Sequence, residues 1–167
     1  DRSVSRGLGD VYKRQVDDRM IHGIVATQWV PNLKATRAMV IDDEASTNDI
    51  MRSSMKMASP AGVALSVIDH TKAVTNIGNN KYANQRVFCV FKTVEAAYEL
   101  FKAGVEIPHL NLGDVTQNTG ETTVLAKTVR VNPEEKAMLK EMRDAGVKIT
   151  AQFTPSDPES DVSNLLD

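Results

Sequence analysis

Two carboxylates, a guanidinium and an imidazole lie within six residues of this chain, in the stretch Asp17-Asp18-Arg19-Met20-Ile21-His22. A neutral imidazole is nucleophilic near pH 7, since its unperturbed pKa is about 6.5. The planar fork of an arginine can neutralise the oxygens of a phosphoryl group. The cluster therefore predicts that His22 can carry a phosphoryl group, with Arg19 binding its oxygens.

The neighbours of His22 suit the same chemistry. Gly23 allows a close approach of the backbone, and the N–H groups that follow it can form an anion site. One of Asp17 and Asp18 accepts a hydrogen bond from the second imidazole nitrogen or orients Arg19, and the sequence leaves open which carboxylate does which. Without His22, such an Asp-Asp-Arg cluster is more typical of a solvated turn with an ion pair.

Strand-like and helix-like patterns alternate along the chain. The predicted strands are 38–41, 63–68, 87–91, 109–112, 124–131 and 147–153. The predicted helices are 48–58, 94–103 and 133–145. This alternation indicates an α/β fold, with an open, mainly parallel sheet of about seven strands and helices on both faces.

In such a fold, ligands bind beyond the carboxyl ends of the strands, where loops and helix N-termini meet. Three polar stretches follow strand positions: 17–23, 42–44 and 111–114. We expect these three loops to converge on one edge of the sheet.

The first fourteen residues do not match the rest of the pattern. A strand buried on both faces should be apolar, but residues 1–14 are polar and interrupted by glycines. We expect residues 1–14 to be an atypical leader, an artefact that replaces the natural start, and residues 15–167 to form one domain. Loss of a first apolar strand would leave that domain marginally stable.

Composition excludes several classes of function. The chain has 167 residues and a formal net charge of −2, which argues against a general nucleic-acid binder. Its single cysteine, Cys89, excludes an internal disulfide, fits a reducing compartment and lies in an apolar strand pattern. The three histidines are too scattered for a metal site, and no apolar run approaches the ~20 residues of a membrane-spanning helix.

Residues 15–25 resemble the active-site loop of the EIIB components of the mannose/fructose/sorbose-type phosphotransferase system (PTS). The likeness continues through 26–29, 40–44, 56–62, 110–113 and 131–135, and so covers about nine-tenths of the chain. Two positions depart from the family pattern. Gln15 stands where the family usually has Arg, and Ile24 stands where it usually has Gln.

The resemblance implies a protein-N(pi)-phosphohistidine–sugar phosphotransferase. His22 would take a phosphoryl group on Nδ1 from a phosphohistidine of EIIA and pass it to a sugar bound in the membrane EIIC/EIID pair. Asp17 and Arg19 would be its catalytic partners. The residues implied to bind phosphate are Asp18, Gly23, Asn111 and Gly113.

The same resemblance implies no cofactor, no metal and no nucleic acid. It implies a free-standing cytoplasmic protein that docks transiently on the inner face of the membrane through EIIC/EIID. It leaves open whether the protein forms a homo-oligomer.

Two alternatives stand beside this interpretation. A signalling receiver domain is also a parallel α/β sheet, and Asp17 with Asp18, Asp69 and Thr93 could fill three of its positions. Its lysine is missing, because the strand 109–112 runs into Gly113 and Asp114. A catalytically silent EIIB-like regulatory module is the second alternative, favoured by Ile24 and the unusual leader.

Overall fold

A computed structural model describes residues 11–167 of the protein. Its strands are β1 (Val11–Asp17), β2 (Arg37–Ile41), β3 (Ala64–Ile68), β4 (Val87–Phe91), β5 (His109–Asp114), β6 (Thr123–Ala126), β7 (Val129–Val131), β8 (Lys148–Ala151) and β9 (Ser160–Asp161). Its helices are α1, with a π-helical part (Val25–Trp29) and an α-helical part (Val30–Leu33), α2 (Asp43–Ser46), α3 (Asp49–Ala58), α4 (His70–Gly78), α5 (Val94–Lys102), α6 (Pro133–Asp144) and a final 3-10 helix (Ser163–Leu166).

Seven strands form one sheet in the order β3-β2-β4-β1-β5-β8-β9. All neighbouring pairs are parallel except β8 with β9, which is antiparallel. The predicted α/β class, with an open and mainly parallel sheet of seven strands, is confirmed.

Helices cover both faces of this sheet, as predicted. Alternate residues of β2 face opposite sides, so Met39 and Ile41 join one apolar cluster while Ala38 and Val40 join the other. Helices α4, α5 and α6 contribute buried residues to the first cluster, and α1, α2 and α3 contribute to the second. The second cluster includes Trp29, whose indole Nε1 donates to the carbonyl of Phe153 at 2.9 Å.

Local sequence signals set the helix boundaries. Asn132 caps α6 through a reciprocal pair of hydrogen bonds with Glu135, and Pro133 occupies the first turn. Gly146 follows with a φ of +105°, a conformation that a glycine adopts without strain. The predicted helix over residues 133–145 therefore ends one residue early and is otherwise confirmed.

Strand β1 corrects the prediction for the leader. Residues 11–14 were expected to lie outside the fold, but Val11–Asp17 is a central strand between β4 and β5. Backbone pairing does not depend on side-chain polarity, and the polar side chains find partners: the Lys13 ammonium, for example, lies 4.6 Å from the centre of the Trp29 ring. The predicted domain boundary at residue 14 is therefore wrong, because residues 11–14 belong to the sheet. The expectation of an atypical leader otherwise concerns residues 1–10, which lie outside the described residues.

The predicted strand over residues 124–131 is also wrong as a single element. The chain reverses at Lys127 and Thr128, so β6 and β7 form a separate antiparallel hairpin. The turn residues Lys127 and Thr128 include neither glycine nor asparagine, so the sequence lacks the usual signal for a hairpin.

Cys89 lies fully buried in β4, as its apolar neighbours indicated. Burial raises the pKa of its thiol to about 12, because the charged thiolate is poorly solvated there. Among residues 11–167, no helix combines the length and the apolar composition needed to span a bilayer. The same residues contain no group of three His, Cys, Asp or Glu side chains arranged to hold a metal ion.

Candidate active site

The site is built on the loop that connects β1 to α1. Its turn is closed by the amide of Met20, which donates to the carbonyl of Asp17 at 3.0 Å, and Met20 adopts a left-handed φ of +58°. The amide of Asp18 donates to the carbonyl of Asp114 at 2.9 Å, which ties the loop to β5. The side chains of Met20 and Ile21 are buried in the second apolar cluster. The loop is therefore anchored on both sides of Arg19 and just before His22.

Asp17 holds the imidazole of His22. Its Oδ1 accepts a hydrogen bond from His22 Nε2 at 3.1 Å and another from the backbone N–H of Arg19 at 2.9 Å. The Asp17 carboxylate is 2% exposed and the imidazole 17% exposed. A carboxylate bonded to Nε2 keeps the proton on that nitrogen, so Nδ1 retains its lone pair. Of the two carboxylates that the sequence left open, Asp17 is therefore the one that orients His22.

Asp114 is a site residue that the sequence interpretation missed. Its Oδ2 lies 3.1 Å from a terminal nitrogen of Arg19, and the parallel register pairs Asp114 with Asp17. The Arg19 side chain is 50% exposed, whereas the Asp114 carboxylate is 9% exposed. The sequence signal for Asp114 was an acidic residue at the end of a buried strand. That signal indicates a site residue only once β5 is known to lie beside β1.

The Asp18 carboxylate contacts the segment that follows β5. Its Oδ2 accepts hydrogen bonds from the backbone N–H groups of Thr116 at 2.6 Å and Gln117 at 3.0 Å. The pKa of Asp18 is raised above its ordinary value. Burial is the largest cause, and the negative charges of Asp114 and Asp17 act in the same direction, while the two hydrogen bonds act against it. Asp18 therefore fixes the segment after β5, and its binding of phosphate stays a prediction.

Gly23 lies where it was expected, at the start of the helical backbone that leads into α1. The amide of Ala26 donates to the carbonyl of His22 at 2.7 Å, so the first helical turn begins directly at the histidine. The first N–H groups of a helix have no acceptor within the helix and attract anions. No heavy atom lies within 4 Å of the position of a Cβ on Gly23, so the space beside it is open. Ile24, in place of the usual Gln, packs partly against the second apolar cluster.

Asn111 and Gly113 lie in β5, where both contact Gln15 of β1. Asn111 is fully buried within β5, where its Nδ2 donates to Gln15 Oε1 at 2.8 Å and its Oδ1 accepts from the Thr150 hydroxyl at 2.9 Å. Gly113 makes room for the Gln15 side chain. Both residues therefore shape the contact between β1 and β5, and their binding of phosphate stays a prediction.

Gly113→Ala is expected to destabilise the fold by about 1–2 kcal/mol. A Cβ at this position would lie 2.8 Å from Gln15 Nε2 and 3.4 Å from the carbonyl oxygen of Val16. Gln15 has little freedom to move away, because it is fully buried. The free energy of unfolding, measured by urea denaturation, tests this.

Gly78→Ala is the matched control for this substitution, since Gly78 lies in α4 with open space around it. It should leave stability unchanged or raise it slightly. Combining Gly113→Ala with Gln15→Ala should cost less than the sum of the two single changes. Equal stabilities of Gly113→Ala and Gly78→Ala would contradict the close packing of Gly113 on Gln15.

The loop at 42–44 forms a separate cluster. It follows β2, which β4 separates from β1 in the sheet. Asp42 caps α2 by accepting from the amide of Ala45, and Asp43 accepts from the amide of His70 at 3.0 Å. Of the three loops predicted to converge, the structure therefore joins those after β1 and β5.

A family model described as "PTS system sorbose subfamily IIB component" matches residues 12–167. The chain belongs to this family. The sorbose-specific EIIB component of Lacticaseibacillus casei is 32% identical over 153 residues, which cover 92% of this chain and 93% of that protein. The crystal structure of the IIBSor domain of the Klebsiella pneumoniae sorbose permease superposes with a TM-score of 0.84 at 28% identity, covering 92% of this chain and 94% of that one.

The mannose-specific EIIAB component of Escherichia coli K12 is 28% identical over 152 residues, which are 91% of this chain but 47% of that longer protein. These likenesses identify the chain as an EIIB component of PTS sugar transport.

The alternative of a receiver domain is therefore wrong. A receiver site would also need Asp69 close to Asp17 and Asp18. Asp69 follows β3 at the edge of the sheet, and β2 and β4 separate β3 from β1. Asp69 and Thr93 instead cap helices α4 and α5.

Proposed function

We propose that this EIIB component carries a phosphoryl group on His22 Nδ1, taken from a phosphohistidine of EIIA and passed to a sugar bound in the membrane EIIC/EIID pair. The hydrogen bond between Asp17 and His22 Nε2 carries this proposal, because it leaves Nδ1 as the nucleophile. The EIIAB name of the Escherichia coli relative supports the link with EIIA. On this proposal the protein works at the inner, cytoplasmic face of the membrane.

The chemistry consists of two displacements at phosphorus. In the first, the lone pair of Nδ1 attacks phosphorus and the P–N bond to the EIIA histidine breaks, which returns that imidazole to its neutral form. In the second, a sugar hydroxyl attacks, the P–N bond to His22 breaks, and the hydroxyl proton leaves on the acceptor side. The Asp17 carboxylate stabilises the positive charge that the phosphorylated His22 ring carries.

Phosphoryl transfer requires mainly alignment and neutralisation of the equatorial oxygens. Arg19 supplies the guanidinium, and the N–H groups at the start of α1 supply further donors.

Intact mass spectrometry tests this proposal after incubation with EIIA and a phosphoenolpyruvate-driven relay. We expect the wild type to gain a single phosphoryl group that is labile in acid and stable in alkali. His22→Ala should lose it. His70→Ala is the matched control, since His70 also contacts a carboxylate, that of Asp43 at 3.3 Å, and should keep the adduct.

Three results would overturn the proposal. An adduct that persists in His22→Ala would move the acceptor elsewhere. An alkali-labile adduct would indicate an acyl phosphate on a carboxylate. A wild type that is folded by circular dichroism and gains no phosphoryl group would favour the catalytically silent regulatory module.

A further inference from the structure

The site holds more negative than positive charge before any phosphoryl group arrives. The carboxylates of Asp17, Asp18 and Asp114 surround the loop, and Arg19 is the guanidinium paired within it. A phosphoryl group adds roughly −1.5 to −2 charges at pH 7. Phosphorylated His22 would therefore lie in an unfavourable field unless the guanidinium of Arg19 neutralises it.

That guanidinium already has a partner. Asp114 Oδ2 lies 3.1 Å from a terminal nitrogen of Arg19, and the other oxygen of the same carboxylate accepts from the Thr116 hydroxyl at 2.8 Å. The Asp114 backbone carbonyl accepts from the amide of Asp18. Asp114 is thus fixed on two sides and nearly buried, whereas the Arg19 side chain is half exposed to solvent.

We propose that Asp114 is a positioning residue that holds Arg19 while His22 is unphosphorylated and competes with the phosphoryl group for its guanidinium. This inference rests on the proposed function of His22. Competition of this kind makes the phosphorylated form less stable than the loop would otherwise allow, so the phosphoryl group leaves readily for the next acceptor. The pair of Arg19 and Asp114 then sets how strongly the protein retains its phosphoryl group.

The test is the equilibrium between phosphorylated EIIA and this protein, read by intact mass at fixed total concentrations. Asp114→Asn removes the competing charge, so we expect the equilibrium constant for phosphorylation of His22 to rise about three- to tenfold. The half-life of the isolated phosphorylated protein should lengthen as well. Thr116→Val is the matched control, because it removes the hydroxyl bonded to Asp114 and keeps the carboxylate charge.

A double-mutant cycle separates competition for Arg19 from a direct effect of charge. In an Arg19→Gln background, Asp114→Asn should change the equilibrium by less than half of its effect in the wild type, since the guanidinium is gone. Asp114→Ser repeats the neutralisation with a smaller side chain, in case the amide disturbs folding.

The outcomes of this test are distinct. An equilibrium constant that is unchanged or lowered in both Asp114 variants, with a wild type that is phosphorylated, overturns the competition and leaves the proposed function standing. If Asp114→Asn changes the equilibrium constant equally in the wild type and in the Arg19→Gln background, the competition is also overturned. If the wild type takes no phosphoryl group, the proposed function and this inference fall together.

Discussion

Asp17→Ala is expected to slow phosphoryl transfer to and from His22 by about 10²- to 10³-fold. The substitution removes the acceptor that keeps the proton on Nε2, so the imidazole loses both its orientation and its preferred tautomer. Single-turnover transfer from phosphorylated EIIA, followed by rapid quench, measures the rate.

Asp17→Asn separates geometry from charge. One oxygen, Oδ1, accepts both from His22 Nε2 and from the backbone N–H of Arg19, so an asparagine can keep both hydrogen bonds while it loses the charge. We expect this variant to be slowed by about 10- to 10²-fold, between alanine and the wild type. Nitrogen chemical shifts of the His22 ring should show a proton on Nε2 in both the wild type and Asp17→Asn.

Asp43→Ala is the matched control, because Asp43 contacts another carboxylate-paired histidine, His70, outside the site. It should leave the transfer rate unchanged. A folded Asp17→Ala variant that transfers within about threefold of the wild type would remove Asp17 from the mechanism.

Arg19→Gln is expected to lower the rate of phosphoryl transfer by about 10²- to 10³-fold, because it removes the guanidinium that neutralises the phosphoryl oxygens. Arg19→Lys should recover part of this loss, since it keeps the charge but not the planar fork. The same single-turnover assay measures both variants.

The matched control for Arg19 is Arg52→Gln. Arg52 is 49% exposed and pairs with Asp49 at 3.6 Å, so it resembles Arg19 in exposure and in having a carboxylate partner. Arg52→Gln should change the free energy of unfolding by no more than about 1 kcal/mol, because its ion pair with Asp49 is exposed and such pairs contribute little. Equal transfer rates in Arg19→Gln and Arg52→Gln would exclude a catalytic role for Arg19.

Where a signal is local, the sequence predicted the structure well. Asn132, Pro133 and Gly146 mark the ends of α6, because capping and positive φ depend on a few adjacent residues. The alternation of strands and helices was sufficient for the α/β class and for a loop at 17–23 beyond a strand.

Polar character misled the prediction at β1. The sequence pattern reports the solvation of side chains, whereas the place of β1 in the sheet depends on backbone pairing with β4 and β5. At 0% exposure, Gln15 has its Oε1 satisfied by Asn111, which the register pairs with it, whereas its Nε2 has no hydrogen-bond partner among residues 11–167. Asn111 lies on another strand, so inspection of residues 11–17 alone could not find it.

The sequence by itself determined which chemical groups are available: His22, Arg19 and two adjacent carboxylates in one loop. Only the tertiary structure decided what each group contacts, since it turns Asp17 toward His22 and Asp18 toward the segment after β5. It also brought Asp114 to Arg19, because β5 pairs with β1 although the two strands are distant in the chain. Such pairings are formed between strands across the whole fold, and short-range sequence patterns do not encode them.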